Sequence, residues 1–346
     1  MNEPRLRLGI LGLGMASKPH LAALADLADR IEVAGAFAPS PERRAAFAER
    51  TGLPVVDRLE ALLDDPSIAA LLVLTPPTTH LDLVSRAAAA GKHVLLEKPL
   101  EVSLPRAVAV VERMELAGRR LGVVFQHRFR PVVRRLAAEI AAGRLGEIVA
   151  ASVEIRWWRS AAYYAEPGRG TKARDGGGVL LTQAIHTLDV FVTLLGLPIE
   201  ISARVATSPL RAIDTEDVVA ARLTFENGAI GTLGATTAAY PGFPERIEIT
   251  GTRGTATLTG NSLAIDRHDG TAERIDGDGA TGGGADPMAF DHGPHRDLIG
   301  DFVEAIASGR PPFASGRSAL AVHRLIEAIL RSAAADGHPV APIDER

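Results

Sequence analysis

Residues 5–125 alternate between short apolar runs and helical stretches at a spacing that leaves few folds open. The runs are LRLGIL, IEVAGAF, AALLVLT, HVLLEKP and RLGVVF; between them lie HLAALADLA, PERRAAFAER, HLDLVSRAAAAG and LPRAVAVVERMELAG. Strand, helix, strand at this interval demands right-handed crossovers, hence a parallel sheet covered on both faces. Such sheets take ligands at the carboxyl ends of their strands. The fourth run carries Glu97 and Lys98 to that edge, where Pro99 stops further pairing.

The first run ends in GLGMAS, which sets Gly12, Gly14 and Ser17 at the positions of a G-x-G-x-x-G turn. The first glycine permits the tight turn and the second lets backbone approach a diphosphate. The third position needs only a small residue for helix packing. Amides at the start of the next helix, from Met15 and Ala16 onward, would hold the phosphates. A dinucleotide is the expected cofactor, NAD or NADP. The tip of the second run, AFAPSPERR, has Ala38 where an NAD fold usually places an acid. Ser40, Arg43 and Arg44 nearby are candidates for a 2′-phosphate, so the reading leans slightly toward NADP; a solvated helix explains the arginines equally.

Beyond about residue 145 the period changes. EIVAASVEIRWW and DVVAARLTFENGAIGTLGATT read as strands, and Asn227-Gly228 marks a hairpin, since both residues accept positive φ. RIEITGTRGTATLTG continues with another. VLLTQAIHTLDVFVTLLG reads as one helix, HRDLIGDFVEAIASG and SALAVHRLIEAILRSAAADG as two more, and DGDGATGGGA as a mobile surface loop. The expected fold is therefore α/β: a doubly wound Rossmann domain over 1–124, then an α+β domain over 125–346 with a large open, mainly antiparallel sheet. A length of 346 residues suits two domains.

Composition closes several routes. Apolar residues make up 46% and aromatic residues 4%, so the cores must be built from Leu, Val, Ile and Ala. Without cysteine there is no disulfide, thiol catalysis or Cys-based zinc site. A net charge of -4 gives no electrostatic ground for nucleic acid or an anionic membrane. No apolar run reads as a membrane span, and MNEPRLRLGI lacks a signal-peptide pattern, so a cytoplasmic location is expected.

The elements GLGMAS…H, TPPTTH, GKHVLLEKPL, FQHRF, DGGGVLLTQAIHTLD and DFVEAIASGRPP, in this order, together resemble the glucose–fructose oxidoreductase/inositol dehydrogenase/rhizopine-catabolism (Gfo/Idh/MocA) family. The resemblance implies NAD(P)-linked oxidation of sugars, cyclitols or related cyclic alcohols. It implies Lys98 and His186 as catalytic residues, and it adds Thr75, Pro76, His80 and Glu97 to the cofactor-binding candidates. Many relatives carry Asp four residues before the histidine; here Thr182 stands there, which shifts acid–base work onto His186 and Lys98.

The residues speak to this chemistry by themselves. Thr182, His186, Asp189 and Thr193 recur at i, i+4, i+7 and i+11, a polar stripe on an apolar helix, and Gly176–Gly178 just ahead allow close backbone approach. His titrates near neutrality and suits the base; a lysine beside nicotinamide would hold the alcohol oxygen or relay its proton. A buried structural histidine and an edge-strand charge are the plain alternatives.

Substrate candidates are Lys98, Arg128, Trp158, Arg159, Tyr164, Arg169, Thr182, Gln183, His186 and His295. Aromatic faces suit sugar-ring CH groups. Arg156, Arg159, Arg169, Lys172 and Arg174 would form a cationic rim for a carboxylated substrate, or simply a solvated loop. His292 and His295 lack a third ligand, so no metal is expected. Two other functions remain open: a glycoside-cleaving enzyme that oxidises its sugar transiently with bound NAD, and a non-catalytic sensor on the same scaffold. An open sheet with an apolar face predicts a homodimer or homotetramer.

Overall fold

The computed structural model describes residues 5–277, 281 and 291–343. Most of the glycine-rich segment read as a mobile loop lies outside the described residues. The chain divides into two units, Met1–Gln126 with His292–Leu320, and His127–Asp291 with Ala321–Arg346.

The first unit is built on five parallel strands: β1 (Leu6–Leu11), β2 (Ile31–Phe37), β3 (Ala70–Val73), β4 (His93–Leu96) and β5 (Leu121–Val123). Their order in the sheet is β2-β1-β3-β4-β5. β3 and nearly all of β4 are buried, as near-continuous hydrophobic strands must be when helices cover both faces. The chain runs from β1 to one side and returns to β3 on the other. The topological switch point, where ligands enter such sheets, therefore lies between these two strands. The strand ends are level: Leu11 pairs with Phe37 and Val73, Val73 with Leu96, and Leu96 with Val123. One edge thus presents Gly12, Leu74, Glu97 and Val124 in a row, each donating its N–H to the last residue of a neighbouring strand.

The sequence boundary at 124/125 assigns His292–Leu320 to the second domain, whereas these residues pack in the first unit. The helix Gly293–Ser308 lies on the helix Ser17–Asp26, with His295 edge-on to His20 at 5.0 Å. The Val123 N–H donates to the Ala314 carbonyl at 2.8 Å. The physical reason is that β5 is an edge strand whose free side needs cover.

The second unit is an eight-stranded sheet ordered β13-β12-β11-β10-β6-β9-β8-β7. Its strands are β6 (Ile148–Arg156), β7 (Glu200–Ala206), β8 (Val218–Thr224), β9 (Ile230–Thr236), β10 (Arg246–Gly251), β11 (Gly254–Thr259), β12 (Ser262–Arg267) and β13 (Ala272–Asp276). All pairs are antiparallel except β6 with β9. Gly228, at φ 84°, closes the β8–β9 hairpin as Asn227-Gly228 foretells. Helices Pro131–Ala141 and Ile185–Leu195 cover one face.

Two sequence expectations change in this unit. VLLTQAIHTLDVFVTLLG is not one α-helix: Leu180–Ala184 form a π-turn, and the α-helix proper is Ile185–Leu195. The stretch Lys172–Leu195 does have the length and mean hydropathy, 1.6, of a membrane span, which the sequence reading overlooked. It is a core segment: 72% of its most apolar 18-residue window is buried.

Candidate active site

At the glycine turn the two glycines are required for different reasons. Gly12 sits at φ +97°, and a Cβ there would lie 2.7 Å from the carbonyl of Leu74. The ends of β1 and β3 can therefore meet only over a glycine. A Cβ on Gly14 would meet nothing within 4 Å. The fold does not need glycine at that position, and the open space beside it suits a diphosphate. Met15, 70% exposed, and Ala16 follow, and the helix Ser17–Asp26 begins without a side-chain cap. Ser17 Oγ donates to the Gly14 carbonyl at 2.7 Å, which fixes the turn. These residues fit the phosphates of a dinucleotide.

Across the switch point, Thr75 and Pro76 lead into a single 3₁₀ turn, where Thr79 Oγ1 donates to Thr75 Oγ1 at 2.8 Å. His80 is fully buried. Its Nε2 lies 2.9 Å from the Thr75 carbonyl, and its Nδ1 lies 3.1 and 3.2 Å from the carbonyls of Pro99 and Leu100. Burial pushes its pKa down. His80 ties the loop after β3 to the loop after β4, so it shapes the edge and presents no ring atom to a ligand.

Glu97 and Lys98 follow β4 on the same edge, and Lys98 is half-buried. The Glu97 carboxylate accepts the Lys98 N–H at 2.9 Å and sits 3.0 Å from His20 Nε2. Burial opposes its ionisation, but the bond to His20 and nearby cations outweigh that and lower its pKa. His295, expected at the substrate, belongs to the first unit and is buried against His20; burial pushes its pKa down to about 3.

At the tip of β2, Ser40 caps the helix Pro41–Thr51, accepting the Arg43 N–H at 3.1 Å and donating to Glu42 at 2.7 Å. Arg44 donates to the carbonyls of Ala38 and Pro39 and lies over the Phe37 ring. Two of the three donors that favoured a 2′-phosphate are thus occupied locally. Arg43 remains exposed.

In the second unit, His186 is half-buried and stacked on His127, ring centroids 4.9 Å apart. One turn on, Asp189 takes two hydrogen bonds from buried Arg128, at 2.7 and 2.5 Å. Arg128, expected at the substrate, thus holds Asp189 of this helix. The expected polar stripe is not uniformly accessible: Asp189 is buried while Thr193 is exposed. Only Thr182 lies in the π-turn, whose longer i→i+5 repeat displaces it from the spacing of the other three; His186, Asp189 and Thr193 all belong to the regular helix.

Thr182 and Gln183 line a small cavity with Tyr163, Tyr164, Asp175 and Glu216. Thr182 Oγ1 donates to the Gly178 carbonyl at 2.8 Å. Gln183 accepts from Arg159 at 2.9 Å and donates to the Tyr163 hydroxyl. Glu216, which sequence reasoning missed, accepts the Gly178 and Leu180 N–H groups at 3.1 and 3.2 Å, and burial raises its pKa. A Cβ on Gly178 would fall 1.9 Å from the Glu216 carbonyl, so this glycine serves the close approach of two backbones.

Two members of the expected cationic rim are ion-paired within the unit, and two more lie over aromatic rings. Arg169 and Arg174 both pair with Glu166, Arg156 covers Phe243, and Arg159 is buried over Trp157 and Tyr163. Arg211, also missed, lies between the rings of Trp158 and Tyr164 while paired to Asp217 at 2.9 Å. The Tyr164 hydroxyl is 3.0 Å from Thr237 Oγ1, and the Trp158 ring meets Tyr240 edge-on.

Residues 6–125 match the family model described as oxidoreductase family, NAD-binding Rossmann fold. With the glycine turn and the level strand edge, this defines an NAD-binding oxidoreductase. Residues 133–257 match the GFO/IDH/MocA C-terminal domain, and the chain belongs to the Gfo/Idh/MocA family. Among curated relatives it is 29% identical to inositol 2-dehydrogenase of Rhizobium meliloti, over 95% of this chain and 97% of that protein. It is 30% identical to 1,5-anhydro-D-fructose reductase of Ensifer adhaerens, over 82% of this chain and 84% of that one. Among solved structures it resembles the WlbA dehydrogenase of Bordetella pertussis in complex with NADH and UDP-GlcNAcA. That likeness has a TM-score of 0.84 and 29% identity, and covers 99% of this chain and 100% of that one.

Proposed function

We propose that the protein is an NAD-dependent dehydrogenase that oxidises a secondary hydroxyl of a neutral cyclic polyol or sugar. The observation that carries this reading is the placement of Lys98 on the same strand edge as the glycine turn, one strand beyond the switch point. Gly12, Gly14, Met15 and Ala16 would hold the diphosphate, with Thr75 and Pro76 on the facing loop. Glu42, held ionised by Ser40 near the tip of β2, disfavours a 2′-phosphate and supports NAD over NADP.

When bound, the cofactor supplies the hydride acceptor. Lys98 donates a hydrogen bond to the substrate oxygen and stabilises negative charge as it develops there. His186 accepts the hydroxyl proton. Thr182, in the place where many relatives have Asp, supplies no charge partner, so the proton transfer rests on the imidazole. Pairing of Arg169 and Arg174 with Glu166 supports hydroxyl recognition over carboxylate capture. The relatives' names, inositol 2-dehydrogenase and 1,5-anhydro-D-fructose reductase, favour the same substrate class.

The test is a panel of cyclitols, neutral sugars, anhydrosugars and sugar acids. Reduced nicotinamide is followed by absorbance, with NAD⁺ and NADP⁺ in parallel. The expected result is NADH formation with a neutral cyclic substrate. NADPH formation alone, or turnover of sugar acids alone, overturns the corresponding part. Release of an aglycone without net NADH would instead establish transient oxidation.

A further inference from the structure

We propose that His20 and Glu97 form a positioning pair for Lys98: they anchor its peptide to the helix after the glycine turn and keep its amine protonated. The inference rests on the reading of Lys98 as a catalytic group. Protonated, Lys98 is a cationic holder of the substrate oxygen and not the base.

Both oxygens of the Glu97 carboxylate are engaged. Oε2 accepts the Lys98 N–H at 2.9 Å, and Oε1 lies 3.0 Å from His20 Nε2. His20 is only 1% exposed, and its Nδ1 makes no hydrogen bond among the described residues. The ring's one polar tie is therefore to Glu97. Burying an imidazole around a single bond is unfavourable for folding alone. That cost is the mark of a group kept for orientation, as a third residue orients the base in a catalytic triad.

Besides His20, two further histidines stand near the carboxylate, and burial holds both toward their neutral forms. His295, edge-on to His20, stays neutral because burial pushes its pKa down to about 3. His80, packed under the same loop with its Nδ1 toward the Pro99 and Leu100 carbonyls, is likewise held toward its neutral form by burial. Farther out, His292 pairs with Asp26 at 2.9 Å. The carboxylate is fixed at the Lys98 peptide, and the lysine's charge helps lower the Glu97 pKa; the reciprocal effect of the anion is to raise the pKa of the amine.

The experiment reads the Lys98 amine directly and needs no substrate. Competitive acetylation of the intact protein with acetic anhydride across pH, with mass analysis of the Lys98 peptide, gives its titration midpoint. Wild type is compared with Glu97→Gln, His20→Ala and His20→Gln, each checked for NADH binding and thermal unfolding. Glu97→Gln should lower the midpoint by about one pH unit or more. His20→Ala should move it the same way, and His20→Gln, which keeps a donor at the Nε2 position, should restore most of it. An equal midpoint in wild type and Glu97→Gln overturns the proposal, and this comparison stands even if His20→Ala does not fold. Full turnover in Lys98→Ala would refute the catalytic reading while leaving the midpoint result intact, so the two failures are distinguishable.

Discussion

Lys98 closes a strand whose preceding residues are buried, and the groups around it divide by how burial sets their charge. His93, at the other end of β4, accepts the Arg120 N–H, and burial, with Arg119 and Arg120 adding, pushes its pKa down to about 4. With His295 at about 3, two histidines stay neutral in the fold while their unfolded forms gain a proton below pH ~6.5. Stability present above that pH is therefore lost as pH falls toward 4 for His93 and 3 for His295. At pH 5 each should remove about 2 kcal/mol. His93→Asn keeps an acceptor for Arg120 and should shrink the stability difference between pH 8 and pH 5 by about 2 kcal/mol in urea unfolding. An unchanged difference would contradict the assignment.

Among the elements, the glycine turn allows a sharp comparison. Gly12→Ala forces a Cβ onto the Leu74 backbone at positive φ and should destabilise the protein by about 2 kcal/mol or more. Gly14→Ala meets only open space, so unfolding should change by less than about 0.5 kcal/mol, while NADH affinity falls at least about 10-fold. Equal NADH binding by Gly14→Ala would remove the diphosphate from that place. This turn was legible in the sequence because it follows a strand and opens a helix, and β1, β2 and the Asn227-Gly228 hairpin were legible for the same local reasons. The partners of Arg128, Arg169 and Arg174 were not: each meets a carboxylate, Asp189 or Glu166, that only the folded chain brings to it. The π-turn at Leu180–Ala184 was hidden because an extra residue in a turn leaves no mark on composition. β7, β12 and β13 went unnamed: β13 has no buried residue at all, whereas β7 and β12 do alternate and were open to the same reading.

At the scale of the whole molecule, the second unit's sheet leaves one face open. Val218, Ala220 and Arg222 of β8 and Ile230 and Thr232 of β9 share it and are exposed, with Ile230 at 59%. We propose that a second copy of the chain covers this face. Sedimentation should give a dimer or larger, and Ile230→Lys should weaken it; a wild-type monomer at micromolar concentration would contradict this. The central claim concerns chemistry, and the most direct measurement is turnover with cofactor binding in Lys98→Ala. The account predicts that kcat falls at least about 100-fold while the NADH dissociation constant stays within about 3-fold. Near-normal kcat in a folded, NADH-binding Lys98→Ala protein would contradict it.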